Sequence, residues 1–313
     1  MGSELFYMLV FPGFLFLLAF STTAEYIDRK LSAKLQNRVG PPWFQPIADL
    51  IKLAAKEDII PDLAGKGMFK LMPVFALTAT LTSFLYIPVW STSAPYAFSG
   101  DVIVVLYLLT IPTMTFFLGG WYSRSVYAMI GAGRAIMQLF AYEIPLFLAI
   151  LAPAMLAGTW SISEMTKFYG AHPAYAAFNV IGLCVALVAL LGKLEKVPFD
   201  TPDAETEIVG GTFTEYSGRL LAMFRMAIGI EMVVGASLLA AVFIPFGLNL
   251  HPVAGFVLYL VKVVGIVCLM SIMRSVLARL RIDQMINFCW KIAAPIAFIQ
   301  LLIDLVAKLV LKA

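Results

Sequence analysis

Apolar stretches long enough to cross a lipid bilayer recur along the whole of this 313-residue chain. A hydrocarbon core needs about 20 apolar residues per helix. By that rule eight spans are predicted, at 5–25, 69–90, 102–122, 137–158, 176–193, 220–246, 253–275 and 288–311. In lipid every backbone polar group must be satisfied internally, so such segments are helices. Pro88, Pro112, Pro145, Pro153 and Pro295 fall inside these spans and do not disqualify them, because neighbouring helices can take up the freed carbonyls. With 61% hydrophobic and 13% charged residues and a mean hydropathy of +0.92, the chain lies far from the composition of soluble domains. The expected fold is an all-α membrane protein with eight transmembrane helices and one amphipathic surface helix, residues 1–313 forming a single polytopic domain. The first apolar run lacks a positive leading region and a small-residue cleavage pattern, so it reads as a mature membrane helix.

Basic residues set the expected orientation. Of the 22 Lys and Arg, all but Lys167, Lys262, Lys308 and Lys312 fall in the odd-numbered loops or at their borders. The positive-inside bias puts those loops in the cytoplasm and both termini outside a cell membrane. Residues 26–68 then form a cytoplasmic loop. Within it Ile47, Leu50, Ile51 and Ala54 recur at helical spacing behind Pro46, which predicts an amphipathic helix that either lies at the membrane surface or roofs a cavity.

The acidic residues are the informative exceptions. Between 193 and 219 the chain carries Asp200, Asp203, Glu205, Glu207 and Glu215, interleaved with Phe199, Ile208, Val209 and Phe213 and broken by prolines and Gly210-Gly211. This pattern predicts an ordered, partly buried re-entrant segment lining a polar cavity, against the plainer reading of a solvated loop. Glu143, Glu231 and Lys262 lie inside predicted spans, where ionisable groups either form structural ion pairs or carry function; a row of buried carboxylates suits stepwise proton transfer. Glu4, Asp101, Glu164 and Asp304 are expected at solvated span ends, and Arg279, Arg281 and Asp283 in a docking or anchoring cluster. Cys184, Cys268 and Cys289 are far apart and expected as isolated buried thiols; His172 and His251 are expected as loop residues. No phosphate-binding glycine loop, zinc spacing or Ser/His/Asp set is present in the sequence. Bond-making or redox chemistry is therefore expected on a partner, and no nucleic-acid partner is expected besides the lipid bilayer and other protein chains.

Four blocks then carry a resemblance over nearly the whole chain. They run from Asp28-Arg-Lys through Gln36-Asn-Arg-Val-Gly-Pro41, Gln45-Pro-Ile-Ala-Asp-Leu-Ile-Lys52 and Lys56-Glu-Asp58; Gly133-Arg-Ala135 with Ala141-Tyr-Glu-Ile-Pro145; Pro198-Phe-Asp200 through Glu215-Tyr-Ser-Gly218; and Asp283-Gln284 with Trp290-Lys291. The set resembles the membrane-anchor subunit of respiratory complex I at the quinone chamber and its relatives in energy-converting membrane-bound hydrogenases. The resemblance implies a subunit without a catalytic centre or cofactor of its own, joining a redox module to ion-pumping subunits. It implies a coupling path through Glu143, Asp203, Glu205, Glu207 and Glu215, with Glu231 one turn beyond a family acid and Lys262 nearby. It implies docking or structural roles for Arg29, Arg38, Asp49, Lys52, Arg134, Asp200 and Asp283. Two departures stand out. Only Pro42-Trp43-Phe44 separates two motifs that family members space further apart, and Lys193-Leu-Glu-Lys196 replaces a family Glu-Thr-Asn-Arg. Both point to the hydrogenase-like branch, including sulfur-reducing complexes. There, a nickel-iron centre and iron-sulfur clusters are expected in hydrogenase-like large, small and iron-sulfur partners, beside antiporter-like membrane subunits. A complex I-type quinone-chamber subunit and a stand-alone ion carrier remain as alternatives.

Overall fold

A computed structural model describes residues 2–89, 91, 93–247 and 251–312, with 2–5, 205, 206, 311 and 312 described by backbone alone. Among these residues every regular element is helical, and eight helices are long and apolar enough to span a membrane. In chain order they are α1 (Gly2–Leu9), α2 (Phe14–Leu35), α3 (Gln45–Ala55), α4 (Lys66–Phe84), α5 (Asp101–Tyr122), α6 (Val126–Ala157), α7 (Ile162–Ala171), α8 (Pro173–Ala176), α9 (Val180–Lys193), α10 (Glu205–Ile208), α11 (Gly218–Phe243), α12 (Pro252–Val276), α13 (Ile282–Phe288) and α14 (Ala294–Lys312). Short α8 runs through a 3-10 turn into α9 as one span, and α13 runs through a π-turn into α14 as another.

Prolines and glycines explain where these helices depart from the predicted spans. The first span is broken at Pro12-Gly13, where proline supplies no N–H to the ladder. Beyond the break α2 continues ten residues past the predicted end, because nothing from Tyr26 to Leu35 interrupts a helix; Asn37, at φ 57°, follows its C-cap. The second span stops at Phe84, leaving Pro88 in the following loop rather than inside a helix. The π-turn Cys289–Ala293 precedes Pro295, whose ring would crowd the carbonyl four residues back in a regular helix. At 1.5 Å per residue, the 32 residues of α6 reach about 48 Å, more than the hydrocarbon thickness of about 30 Å.

The bundle is organised around α11, which packs against α2, α4, α9 and α12 and is buried along almost its whole length from Ile230 to Phe243. Small residues on it, among them Ala227, Ala236 and Ala240, let the neighbouring backbones come close. Amphipathic α3 lies across α2 and α11 at the end of the bundle that carries most of the basic residues. A clamp ties the segment after α3 to the start of α11. Asp58 accepts from Arg219 N at 2.7 Å and from Nε at 2.9 Å, while Ser217 Oγ accepts from Ile59 N at 2.9 Å. Gly218 makes this possible. It sits at φ +58°, and a Cβ there would stand 2.4 Å from Asp58 Oδ1 and 2.6 Å from Glu57 O. Gly218→Ala is expected to lower stability by about 1–3 kcal/mol; an unchanged Tm in the purified chain would contradict the clamp.

Burial corrects several expectations about single residues. Asp101 and Asp304 are fully buried instead of sitting at solvated ends. Asp101 accepts from Ile162 N at 2.6 Å and Ser161 Oγ at 3.2 Å, closing the α5–α7 junction. Glu164 is exposed, and the Glu4 side chain lies outside the described residues. Of the cysteines only Cys289 is buried; Cys184 is exposed and Cys268 half-buried. Position along a helix suggests water at Asp101 and Asp304, and burial at the cysteines; lateral packing decides each case instead.

Candidate functional site

The departure at 193–196 turns out to build the centre of the site. Helix α9 ends in a Schellman arrangement: Lys196 N donates to Leu191 O and Glu195 N to Gly192 O, both at 3.2 Å. The left-handed position that glycine usually takes in this motif is held by Glu195, at φ 51°. A non-glycine residue there carries backbone strain. The tight end of the helix turns Lys193, Glu195 and Lys196 toward one cavity of about 460 Å³.

Six carboxylates and six cations line that cavity: Glu25, Asp28, Glu195, Asp200, Asp203 and Glu231, with Arg29, Lys193, Lys196, Arg225, Arg274 and Arg279. Asp28 is a hub, accepting from Lys196 Nζ at 2.7 Å, Ser271 Oγ at 2.6 Å and Arg274 at 3.2 Å. Arg29 bridges Glu25 at 2.5 Å and Asp49 of α3 at 2.9 Å, which joins the amphipathic helix to the cavity rim. Arg279 pairs with Asp200 at 3.0 Å. Deepest lies Lys193, whose Nζ is 3.2 Å from Glu231 Oε1, with both side chains 1% exposed. The same ammonium donates to Leu109 O, in the turn of α5 that Pro112 loosens, and stands 5.6 Å from the Tyr142 ring centroid.

Glu195 is the exception to this pairing. Its Oε1 is buried without a hydrogen-bond partner. Its carboxyl is pushed well above the usual carboxylate range, first by burial and then by the negative charges of Asp203 and Glu231. Arg225 and Lys193 oppose that shift without forming an ion pair with Glu195.

The acidic segment is fixed over this cavity by Gln138, which no sequence pattern marks. This residue of α6 is fully buried, donates to Gly192 O at 2.6 Å and Phe199 O at 2.7 Å, and accepts from Thr201 Oγ1 at 2.6 Å. Tyr216 stacks on Phe69 with centroids 3.9 Å apart and donates to Phe69 O. Gly131 lets the 211–213 turn lie against α6, since a Cβ there would be 2.6 Å from Thr212 N.

The predicted site residues separate into groups. Asp200, Asp203 and Glu231 line the cavity, with Arg29 and Asp49 at its rim. Glu143 lies half-buried on α6, across Lys193, which acts on it electrostatically. Glu207 faces outward and pairs with Arg134 at 2.6 Å; that hydrogen bond and charge hold its carboxyl below the usual range. Arg134, Glu207, Arg281 and Asp283 line a separate surface recess of about 290 Å³. Glu215 is half-buried in the turn before α11, Arg38 and Lys52 are exposed, and the Glu205 side chain lies outside the described residues. Lys262 is apart from the cavity; its Nζ donates to Phe246 O near the opposite end of the bundle. Asp28, Lys193, Glu195, Lys196, Arg225 and Arg274 are cavity residues that the sequence does not mark as a site. The signal that could have found them is the matching count of acids and cations at the facing ends of spans one, five, six and seven. Among the described residues no three His, Cys, Asp or Glu side chains are grouped to hold a metal ion.

The eight-span bundle thus carries a charge-lined cavity at its basic end. A family model described as NADH dehydrogenase matches residues 7–305. The chain belongs to this NADH dehydrogenase family, that of the H-type subunits of NADH-quinone oxidoreductase. It is 32% identical to the H-type NADH-quinone oxidoreductase subunit of Carboxydothermus hydrogenoformans, over 89% of this chain and 82% of that one. It is 36% identical to the same subunit of Dehalococcoides mccartyi, over 89% and 80%. Among solved structures it is similar to a chain of the membrane-bound sulfane sulfur reductase, an archaeal respiratory membrane complex, with TM-score 0.85 and 26% identity over 97% of this chain and 100% of that one.

Proposed function

We propose that this chain couples redox chemistry in a peripheral hydrogenase-like module to proton or sodium ion translocation by antiporter-like membrane subunits. Residues 1–313 act as one membrane domain, with both termini outside and the 26–68 and 193–219 segments as the cytoplasmic docking face. The nickel-iron centre and iron-sulfur clusters belong to the hydrogenase-like large, small and iron-sulfur partners; this chain supplies the charged path. The observation that carries the reading is a chain of groups that act on one another. Glu195, Asp203 and the Lys193–Glu231 pair line one cavity, and Lys193 acts electrostatically on Glu143 of α6. Two unit charges about 4 Å apart interact by about 4 kcal/mol near a protein surface, which is about three pK units. A change of charge on one of these groups is therefore enough to alter which of its close neighbours holds a proton.

A quinone chamber is the second reading, favoured by the names of the bacterial relatives and by the apolar cavity residues Phe116, Phe213, Ile228 and Met232. The charge density of the remaining lining supports the first. Glu143→Gln and Glu231→Gln in the assembled complex, with redox turnover and ion translocation assayed together, separate them. Retained turnover with translocation reduced by about 10²-fold or more, for a displaced proton-transfer group, is expected. Undiminished translocation would sink the coupling role, and inhibition of turnover by quinone-site ligands would select the second reading.

A further inference from the structure

At the end of the bundle away from the charged cavity, three polar side chains meet with too few partners. Asn179 closes the 3-10 turn before α9, and Gln300 and Asp304 lie one turn apart on α14, on one face. They are 1%, 0% and 0% exposed. Gln300 Nε2 is spent on Phe178 O at 2.7 Å and Asp304 Oδ1 at 3.1 Å, so Gln300 Oε1 is left as an acceptor. Gln300 Oε1, Asp304 Oδ2 and Asn179 Oδ1 have no hydrogen-bond partner among the described residues.

The neighbouring groups do not fill the gap. Tyr169 of α7 donates its own proton to Pro153 O at 2.8 Å, and its hydroxyl oxygen lies close enough to take a hydrogen bond from Asn179 Nδ2, which leaves the acceptor oxygens unanswered. Lys308, one turn beyond Asp304, gives its ammonium to Met155 O at 2.8 Å. Among the described residues no cation pairs with Asp304. An isolated carboxylate buried in a membrane helix costs several kcal/mol, and each orphaned buried acceptor about 1–3 kcal/mol more.

We propose that Asn179, Gln300 and Asp304 bind a sodium ion. One monovalent cation answers the whole arrangement. It neutralises the single carboxylate, and it is a hard ion that takes the three free oxygens, Asn179 Oδ1, Gln300 Oε1 and Asp304 Oδ2. Water alone would satisfy the lone pairs and leave the charge; a divalent ion would leave one positive charge uncompensated. The apolar groove flanking the site, formed by Phe178, Ile303 and Ala307 among others, keeps the surroundings low in dielectric. The site stands whether or not the charged cavity couples redox to transport.

The test is thermal unfolding of the purified full chain in sodium chloride against choline chloride at fixed ionic strength. A saturable rise in Tm of about 2–5 °C with sodium is expected, abolished in Asp304→Asn and weakened in Asn179→Leu. Excess broadening of the ²³Na resonance by the unmodified chain, displaced by a competing monovalent cation, decides the same question if a variant fails to fold. Equal responses to sodium and choline, a sodium response that survives Asp304→Asn, or an unbroadened ²³Na signal would each overturn the site. The last result would mean that Asp304 is held neutral by its own proton beside a water.

Discussion

Lys193→Met is expected to destabilise the folded chain by about 3–5 kcal/mol, the range for removing one partner of a buried ion pair. The reason is what stays behind. Glu231 is fully enclosed by α11's neighbours, and Lys193 is its only ion-pair partner among the described residues. The carboxylate would have to take up a proton or pull water into the bundle. Leu109 O loses its donor at the same time, in a turn that Pro112 has already loosened. A fall in Tm of about 5–10 °C is expected. Lys193→Met/Glu231→Leu removes both charges and should recover stability to within about 1 kcal/mol, because an apolar pair can replace a buried ion pair at little cost. Under the proposed function the double variant still translocates no ions. Equal Tm in Lys193→Met and the unmodified chain would show that the pair contributes no stability.

Glu195→Gln is expected to leave redox turnover of the complex intact and to lower ion translocation by about 10²-fold, the lower end for a positioned proton-transfer group. It should also change the pH dependence of stability. Burial and the charges of Asp203 and Glu231 raise the Glu195 carboxyl in the folded chain, so folded protein binds more protons than unfolded protein above the usual carboxylate range. The stability contributed by this group is full below that range and is lost as pH rises through the raised value. In Glu195→Gln the fall of Tm across that window should flatten. Glu195→Gly makes a sharper contrast. It relieves the left-handed backbone at φ 51°, with a gain of about 1 kcal/mol, yet loses coupling as completely as Gln. A glycine variant that pumped normally would make the carboxyl dispensable and leave only a helix cap.

The eight spans were legible in the sequence because a bilayer imposes length and apolarity on each helix independently of its neighbours. The amphipathic helix at 45–55 and the order of the acidic segment were legible for a related reason: periodicity and breakers act locally. Pairing was not. Asp28 reads as a residue near the start of a cytoplasmic loop, and only the fold brings Lys196, Ser271 and Arg274 onto it from positions 168, 243 and 246 residues away. Lys193 and Lys196 were visible as a departure from a motif, which marked the place without its geometry. Gln138 gave no signal, since one carboxamide on an apolar helix has no periodicity. The opposite error arose at Asp101 and Asp304, where position near a helix end suggested water that lateral packing excludes.

Gln138 has a mechanical consequence. Its one carboxamide grips the end of α9, the start of the acidic segment and Thr201, so α6 and the roof of the cavity cannot be displaced separately without giving up three buried hydrogen bonds. A push on that roof by a docked protein becomes a load on a helix about 48 Å long, arriving at Glu143 less than two turns further along the same rod. Under the proposed function, the signal would travel between these two residues as strain in an unbroken stretch of helix.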